Sequence, residues 1–319
     1  MKNPPTLFAI GGAHIDRRGQ IAGEHVPGAS NPGTMREEVG GGVFNAAAAA
    51  RQMGARVLFL SVRGGDAQGE AVTKAIADAG LVDLSSTFLD RRTATYTAIL
   101  DRHGDIITAL ADMSIYETAL PRQISRRKTR DAIAECDAIL ADANLPADSI
   151  RRLLALSMAK PVFMIAISPA KVVRLRGLES GLHCLFMNAR EAKALAGFSP
   201  EHSGGAAQAF TQLAGVGLKR AVMTNGPHEV LLLGDGSVSA LTPPAADKIT
   251  DVTGAGDALA GAAAAMMLLG NGFVSSVRAG IAAAVTNIEN RSAIASLRKN
   301  PRFSELLKMM QDQEDQSRA

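Results

Sequence analysis

Asp251-Val252-Thr253-Gly254-Ala255-Gly256-Asp257 is the stretch on which the reading of this chain turns. It follows Ala-Asp-Lys-Ile-Thr at 246–250 and opens Ala258–Leu269, a run of good helix formers. Two glycines around a small residue let the backbone turn tightly and leave amide hydrogens free. At a helix N-terminus such amides hold a phosphate or a developing negative charge. Asp257 falls at the start of that helix, aimed at whatever the amides hold. A phosphate cradle beside a carboxylate able to take a proton describes a phosphotransferase site. Taken alone, the same residues also describe a plain glycine turn with an Asp cap.

Size and composition narrow the choice. A chain of 319 residues can bury a sizeable core within one domain, 1–319. Ala-rich helical runs alternate with short Val/Leu/Ile runs, the pattern of an α/β fold with a mostly parallel sheet. The net charge of +3 reflects 34 basic against 31 acidic residues, and aromatics are 4% with no Trp. A basic, base-stacking surface is absent from that composition, so nucleic acid is not expected as a partner. Cys136 and Cys184 are too few for a disulfide framework or a zinc site and read as small buried hydrophobes. Ala258–Leu269 is too short to span a bilayer. With no signal-peptide pattern at Met-Lys-Asn-Pro-Pro, no membrane partner and a cytoplasmic location are expected.

Along the chain, Leu7–Ile10 reads as a strand ending in Gly11-Gly12, with Asp16 beyond it where ligands collect in α/β sheets. Gly40-Gly41-Gly42 runs into Asn45 on a helical turn and allows close approach of a ligand to backbone. Val57–Val62, Ile139–Ala141, Val162–Ile167, Leu185–Met187 and Val222–Thr224 read as further strands. Val230–Leu233 makes a hairpin with the residues around Val238. The polar segment 17–38 and the alternating pair Thr95–Leu100 and Ile106–Leu110 read as hairpins. Together, at about 17–38 and 94–112, they form a small β lid over the site. Residues 311–319 read as a frayed tail.

These pieces resemble the ribokinase-like (PfkB) family of carbohydrate and nucleoside kinases from Gly11 to roughly Asn290. The matching pieces stand in the family's order: Gly-Gly…Asp16, Gly40-Gly41…Asn45, Gly64-x-Asp66-x-x-Gly69, Asn188-x-x-Glu191, Thr224-x-Gly226 and DVTGAGD. In the lid, Ser30-Asn31-Pro32-Gly33, Thr95-Tyr96, Asp112-Met113 and Asp142-Ala-Asn144 are similar to stretches of bacterial pseudouridine kinases.

The resemblance implies a three-layer α/β/α sandwich with a β-sheet lid, an ATP-dependent kinase of a nucleoside 5′-hydroxyl, and a homodimer formed through the lid. Asp257 would be the general base, and the amides of Gly254, Ala255 and Gly256 would stabilise the transferring phosphoryl group. Asp16, Gly40, Gly41 and Asn45 would hold ribose hydroxyls. Ser30, Asn31, Thr95, Asp112 and Asn144 would contact the base, with Asp112 or Asn144 accepting the extra ring N–H of pseudouracil. Asn188, Thr224, Gly226, Gly254 and Gly256 would lie along ATP. Glu191, with Asn188, would organise Mg²⁺ mostly through water. Asp251 and Thr253 carry oxygens where many relatives bind a monovalent cation, commonly K⁺.

The chain departs from the family at Phe186-Met187, where Lys-Pro is usual, and at Ile165-Ala166, where Asp-Pro is usual. Glu229 replaces the customary second glycine after Thr224-x-Gly226. These changes bear on the nucleotide and metal side. Other acceptors (ribose, a ketohexose, adenosine or another nucleoside) and a catalytically silent ligand-binding relative remain as alternatives. A dinucleotide-binding dehydrogenase lacks its G-x-G-x-x-G, and a P-loop kinase lacks its G-x-x-x-x-G-K-[ST].

Overall fold

Strand β1 (Thr6–Ile10) is apolar without a break because both of its faces are covered. The computed structural model describes residues 3–198, 205–234, 236–290, 297 and 299–318. After β1 come β2 (His14–Ile21), β3 (Gly33–Gly40), α1 (Gly42–Gln52), β4 (Arg56–Leu60), β5 (Val62–Gly64) and α2 (Ala67–Asp78). The short β6 (Val82–Asp83) and β7 (Ser86–Phe88) lead to β8 (Thr95–Leu100) and β9 (Ile106–Asp112). Helices α3 (Ser114–Thr118), α4 (Leu120–Ile124) and α5 (Arg127–Glu135) precede β10 (Ala138–Asp142). Then follow α6 (Ala147–Leu156), β11 (Val162–Ile165), α7 (Pro169–Val172), β12 (Cys184–Asn188), α8 (Ala189–Ala196) and α9 (Ala206–Gly215). The chain closes with β13 (Ala221–Thr224), β14 (Val230–Gly234), β15 (Ser237–Leu241), α10 (Ala255–Leu268), α11 (Phe273–Glu289) and α12 (Pro301–Arg318).

The large sheet has the order β15-β14-β13-β12-β11-β10-β1-β4-β6. It is parallel from β13 to β6, and only β14 and β15 at one edge run antiparallel. Successive strand residues point to opposite faces, so β1 divides its side chains between two cores. Leu7 and Ala9 join one apolar cluster with α1, α10 and α11, while Phe8 and Ile10 join a second with α3 to α9. This is a ribokinase-like three-layer α/β/α sandwich. Cys136 and Cys184 are buried and free, and burial pushes the Cys136 thiol up to about 11.

Small side chains set the helix spacing on the first face. A methyl group at Gly261 of α10 would come within 1.9 Å of the Ala46 carbonyl oxygen of α1. The poly-alanine run 46–50 and this glycine let the two helix backbones meet, which draws Asn45 and Asp257 together.

The second sheet, β3-β2-β8-β9, is the lid. Its two segments join through the parallel pair β2 and β8, with antiparallel β3 and β9 at the edges. The lid begins earlier than sequence alone predicts, at His14 instead of 17, and runs to Gly40. Asp16 therefore stands in a lid strand, not in a loop after β1. The single strand expected over Val57–Val62 breaks at Ser61, because Val62–Gly64 leaves the large sheet to pair with β7. The strand expected to reach Ile167 stops at Ile165, and Ile167 takes φ 70°. The tail expected to fray from 311 lies in α12, which runs to Arg318 beyond the anchored Leu306 and Met310. Ala319 lies outside the described residues.

Candidate active site

A cleft of about 550 Å³ opens at the carboxyl ends of the parallel strands, beneath the lid. Tyr96, Ala111 and Met113 line it from the lid side, and Asn144, Ile165, Asn188 and Thr224 come from the ends of β10 to β13 or just beyond them. Gly41 and Asn45 reach it from the start of α1, and Thr253, Gly256 and Asp257 from the start of α10.

Asp257 is half-buried in the first turn of α10, whose N-cap Gly254 takes φ 74°. That left-handed conformation suits glycine and turns the loop into the helix. Asn45 donates from Nδ2 to Asp257 Oδ2 at 2.9 Å. Burial lifts the Asp257 carboxyl to about 6, and the negative charges of Asp142 and Asp16 add to the rise, opposed by the Asn45 N–H and by His14. A carboxyl poised there is basic enough to take a proton and still largely ionised at neutral pH. Asn45 Oδ1 is buried without a hydrogen-bond partner. A buried orphan acceptor in a cleft wants a donor from a ligand.

Asp142, at the end of β10, organises the floor. It is fully buried and accepts from Gly12 N at 3.0 Å, Asn144 N at 3.0 Å and Asn144 Nδ2 at 2.9 Å, with Val43 N at 3.4 Å. One carboxylate thus ties the turn after β1, the start of α1 and Asn144 together. Burial raises its carboxyl above the ordinary range. Gly11 is required beside it, because a methyl group there would lie 2.6 Å from Asp142 Cγ. Asp16 contacts His14 Nε2 at 3.1 Å, and a methyl group at Gly40 would strike Asp16 Oδ2 at 2.1 Å. Gly41, at φ 122°, is held against the Gly12 carbonyl.

Asn188 and Glu191 form a capping box at the start of α8. Asn188 Oδ1 accepts from Arg190 N and Glu191 N, and Glu191 Oε2 accepts from Asn188 N at 2.8 Å. Burial lifts Glu191 to about 7, and the nearby Asp257 charge adds to it.

The structure brings together Asp16, Gly41, Asn45, Asn144, Asn188, Glu191, Thr224, Thr253, Gly256 and Asp257 along one cleft. Other expected residues stand elsewhere. Ser30 is exposed, and Asn31 spends its amide on Val26 and Ala29 within its own loop. Asp112 is exposed and accepts from Ser114 Oγ at 3.0 Å, so a local turn takes its carboxylate. Thr95 is half-buried while its neighbour Tyr96 lines the cleft, because successive strand residues face opposite ways. Gly40 lies behind Asp16, and Gly226, Gly254 and Ala255 fall outside the lining. Asn144 lines the cleft with its amide partly engaged: Lys171 Nζ donates to its Oδ1, and its Nδ2 donates to Asp142.

Sequence reasoning gave no role to Lys171, His14, Tyr96, Met113 and Ile167 of the lining, although Tyr96 and Met113 stood in the lid stretches it matched. Lys171 lies in the short α7, just after Ser168-Pro169. Burial lowers its ammonium below the ordinary range, against the pull of Asp142. Only Ile167 leaves a structural mark, a β-branched residue at positive φ beside the cleft, where strain tends to collect at working sites.

The oxygens expected to bind a monovalent cation are already engaged. Asp251 Oδ2 accepts from Arg18 Nη1, Asp251 Oδ1 accepts from Thr253 N at 2.9 Å, and the Thr253 carbonyl accepts from Asn287 Nδ2 at 2.8 Å. Among the described residues, the Arg18 guanidinium takes the place beside Asp251 that a K⁺ would need.

A cleft at the strand ends, a small sheet over it and a half-buried carboxylate beside a glycine-rich helix start define a small-molecule kinase of the ribokinase-like class. The chain belongs to the pfkB family of carbohydrate kinases, whose model matches residues 6–300. Kinases of this family transfer phosphate to a hydroxyl acceptor. Similar proteins include the pseudouridine kinase of Escherichia coli strain K12, 27% identical over 87% of this chain and 88% of that protein. A carbohydrate kinase from Agrobacterium tumefaciens is 41% identical in structure-based comparison, with TM-score 0.80 and 96% of each chain covered. A ribokinase from Arabidopsis thaliana, solved with ribose and ATP, shares the fold at TM-score 0.81 and 22% identity, covering 96% of this chain and 99% of its own. Among the described residues no helix is long and apolar enough to cross a membrane.

Proposed function

We propose that this chain is an ATP-dependent, cytoplasmic kinase that phosphorylates the 5′-hydroxyl of a nucleoside, with pseudouridine as its substrate. The observation that carries the reading is the half-buried Asp257, lifted to about 6, joined to Asn45 in a cleft of small-molecule size. The similarity to a pseudouridine kinase supports the choice of nucleoside.

In this reading Asp16 and the orphan Oδ1 of Asn45 accept hydrogen bonds from the ribose hydroxyls. Asp257 takes the proton of the 5′-hydroxyl as its oxygen forms a bond to the γ-phosphorus of ATP. The bond from that phosphorus to the β–γ bridging oxygen breaks, ADP leaves, and the proton on Asp257 passes to solvent. The Gly254–Gly256 backbone and the α10 N-terminus stabilise the transferring charge. Phosphoryl transfer asks mainly for this positioning and charge stabilisation.

Lys171 joins Asn144 as a group for the base, in place of the exposed Asp112. Its ammonium is pinned by Asn144 and keeps two N–H donors for ring carbonyls. Ile165, Phe186, Met187 and Val222 give the nucleotide side an apolar wall.

The residues fit a Mg²⁺ bound mostly through water. Glu191 offers one buried carboxyl whose raised pKa a nearby dication would relieve, and phosphates supply the remaining oxygens. When bound, Mg²⁺ supplies charge neutralisation for the phosphates. A homodimer through the lid suits its exposed apolar residues Met35, Ile106 and Leu110.

The test is ADP release with MgATP across pseudouridine, uridine, cytidine, adenosine, ribose and fructose, run beside Asp257→Asn. Selectivity for pseudouridine, with turnover lowered at least ~10²-fold in the variant, is expected. Turnover selective for another acceptor would overturn the substrate, and an unaffected variant would overturn the base.

A further inference from the structure

We propose that Arg18 of the lid stands in for the monovalent cation at the Asp251–Thr253 turn, so that one guanidinium both charges the phosphate loop and ties the lid to it. Three contacts carry this. Arg18 Nη1 meets Asp251 Oδ2 across 233 positions of sequence, and both side chains are about one-third exposed or less, at 31% and 29%. Asp251 Oδ1 accepts from Thr253 N at 2.9 Å, which shapes the turn leading into Gly254 and α10. The Thr253 carbonyl, a second oxygen a cation would need, accepts from the buried Asn287.

A guanidinium is always charged, is less strongly hydrated than an ammonium, and fits a carboxylate geometrically. At this turn it supplies the positive charge that a bound cation would bring. It differs from an ion in being attached to β2. Arg18 sits between Gly40-facing Asp16 and the outer part of the lid, and directly across from Arg36. Asp16, Arg36, Glu38 and Thr250 line the same small space of about 220 Å³. Two arginines paired across strands repel unless an acid is shared, and Asp251 is the acid that Arg18 finds on the other body of the fold. The contact therefore exists only with the lid in place over the cleft. Charge at the loop and closure of the lid become one event.

This inference goes beyond the proposed substrate, and one arm of its test needs no turnover. The melting temperature and ADP-release kinetics of wild type, Arg18→Ala and Arg18→Lys are compared in KCl, NaCl and tetramethylammonium chloride at one ionic strength, which holds screening constant. Wild type is expected to be indifferent to which cation is present. Arg18→Ala is expected to lose ~10-fold or more in kcat, the scale of a misplaced reacting group. K⁺ should restore that kcat and raise the variant's melting temperature, because the vacated Asp251 Oδ2 now accepts an ion. K⁺ should leave the raised KM for the acceptor uncorrected, since a free ion cannot tether the lid. Arg18→Lys, keeping the charge, should stay indifferent to K⁺.

Wild type activated or thermally stabilised by K⁺ over tetramethylammonium would overturn the proposal, and needs no variant to fold. So would an Arg18→Ala variant with wild-type kcat, or one that K⁺ neither stabilises nor activates. Loss of all turnover on every acceptor, with the melting arm behaving as expected, would count against the proposed activity and leave the Arg18 assignment supported.

Discussion

Asn45 and Asp257 are joined by a 2.9 Å hydrogen bond across 212 positions of sequence, where the starts of α1 and α10 meet. The bond makes the protonation of the proposed base depend on a residue that the proposed function also sets against the ribose. It also makes the base sensitive to the spacing of two helices.

Asn45→Ala removes an N–H that stabilises the charged form of Asp257. The carboxyl, already lifted to about 6 by burial, should rise further. The base is active when ionised, so kcat/KM falls as pH drops through the pKa. The acid limb of the profile should therefore move upward in the variant, with a larger loss at pH ~6.5 than at ~8.5. A profile displaced equally at all pH values would show that the amide only binds substrate.

Asp257→Asn should stabilise the fold while removing activity. The carboxyl titrates near 3.8 unfolded and about 6 folded, so between those values the folded chain binds more protons. Stability contributed by the protonated group is then lost as pH rises through the window, and the cost of burying the charge is complete above about 6. That cost has an upper bound of about 3 kcal/mol. The variant should melt a few degrees higher than wild type at pH ~8, with the difference vanishing by ~4. Melting curves across pH decide it, and a variant that melts lower at pH ~8 would contradict the burial argument.

Lys171→Met tests the base-reading assignment. Loss of a charged hydrogen bond is worth ~10-fold or more in binding, so KM for the nucleoside should rise by that factor with a smaller change in kcat. Ribose, which has no base, should show no such change. Equal losses for nucleoside and ribose would place Lys171 with Asp142 and Asn144 as a support of the floor alone.

Gly261→Ala lies on the face of α10 that meets α1. The added methyl would reach 1.9 Å from the Ala46 carbonyl oxygen, a backbone atom that cannot turn aside. Overpacking of this kind costs ~1–3 kcal/mol, and it should also push Asn45 away from Asp257. The kcat loss should persist well below the melting temperature. Destabilisation with normal kcat in the cold would mean that the helices yield elsewhere.

Much of the fold was legible in short runs of residues. The apolar runs at Leu7–Ile10 and Ile139–Ala141 fell where β1 and β10 lie, because strands covered on both faces must be apolar throughout. DVTGAGD announced a helix start with a carboxylate in its first turn, since glycine and helix-former preferences act within a few residues. Asn188-x-x-Glu191 was read for metal and is also a capping box, a pattern complete within one turn. Strand ends were less legible: Val57–Val62 divides at Ser61 because Val62–Gly64 pairs with β7, a partner that local pattern does not name.

By itself, then, the sequence determined an α/β fold with a mostly parallel sheet, the order of its motifs and the carboxylate at the head of α10, all of which follow from local preference and periodicity. Only the tertiary structure decided which polar groups are spent and which are free. Asp142 became the hub of the floor, Lys171 took the acceptor of Asn144, Asn31 turned inward on its own loop, and Arg18 reached Asp251. Each of these outcomes except the Asn31 turn rests on a partner brought close by packing of the sheet, its helices and the lid. A hydrogen bond needs its two atoms within about 3 Å, and no spacing along the chain fixes that for residues hundreds of positions apart.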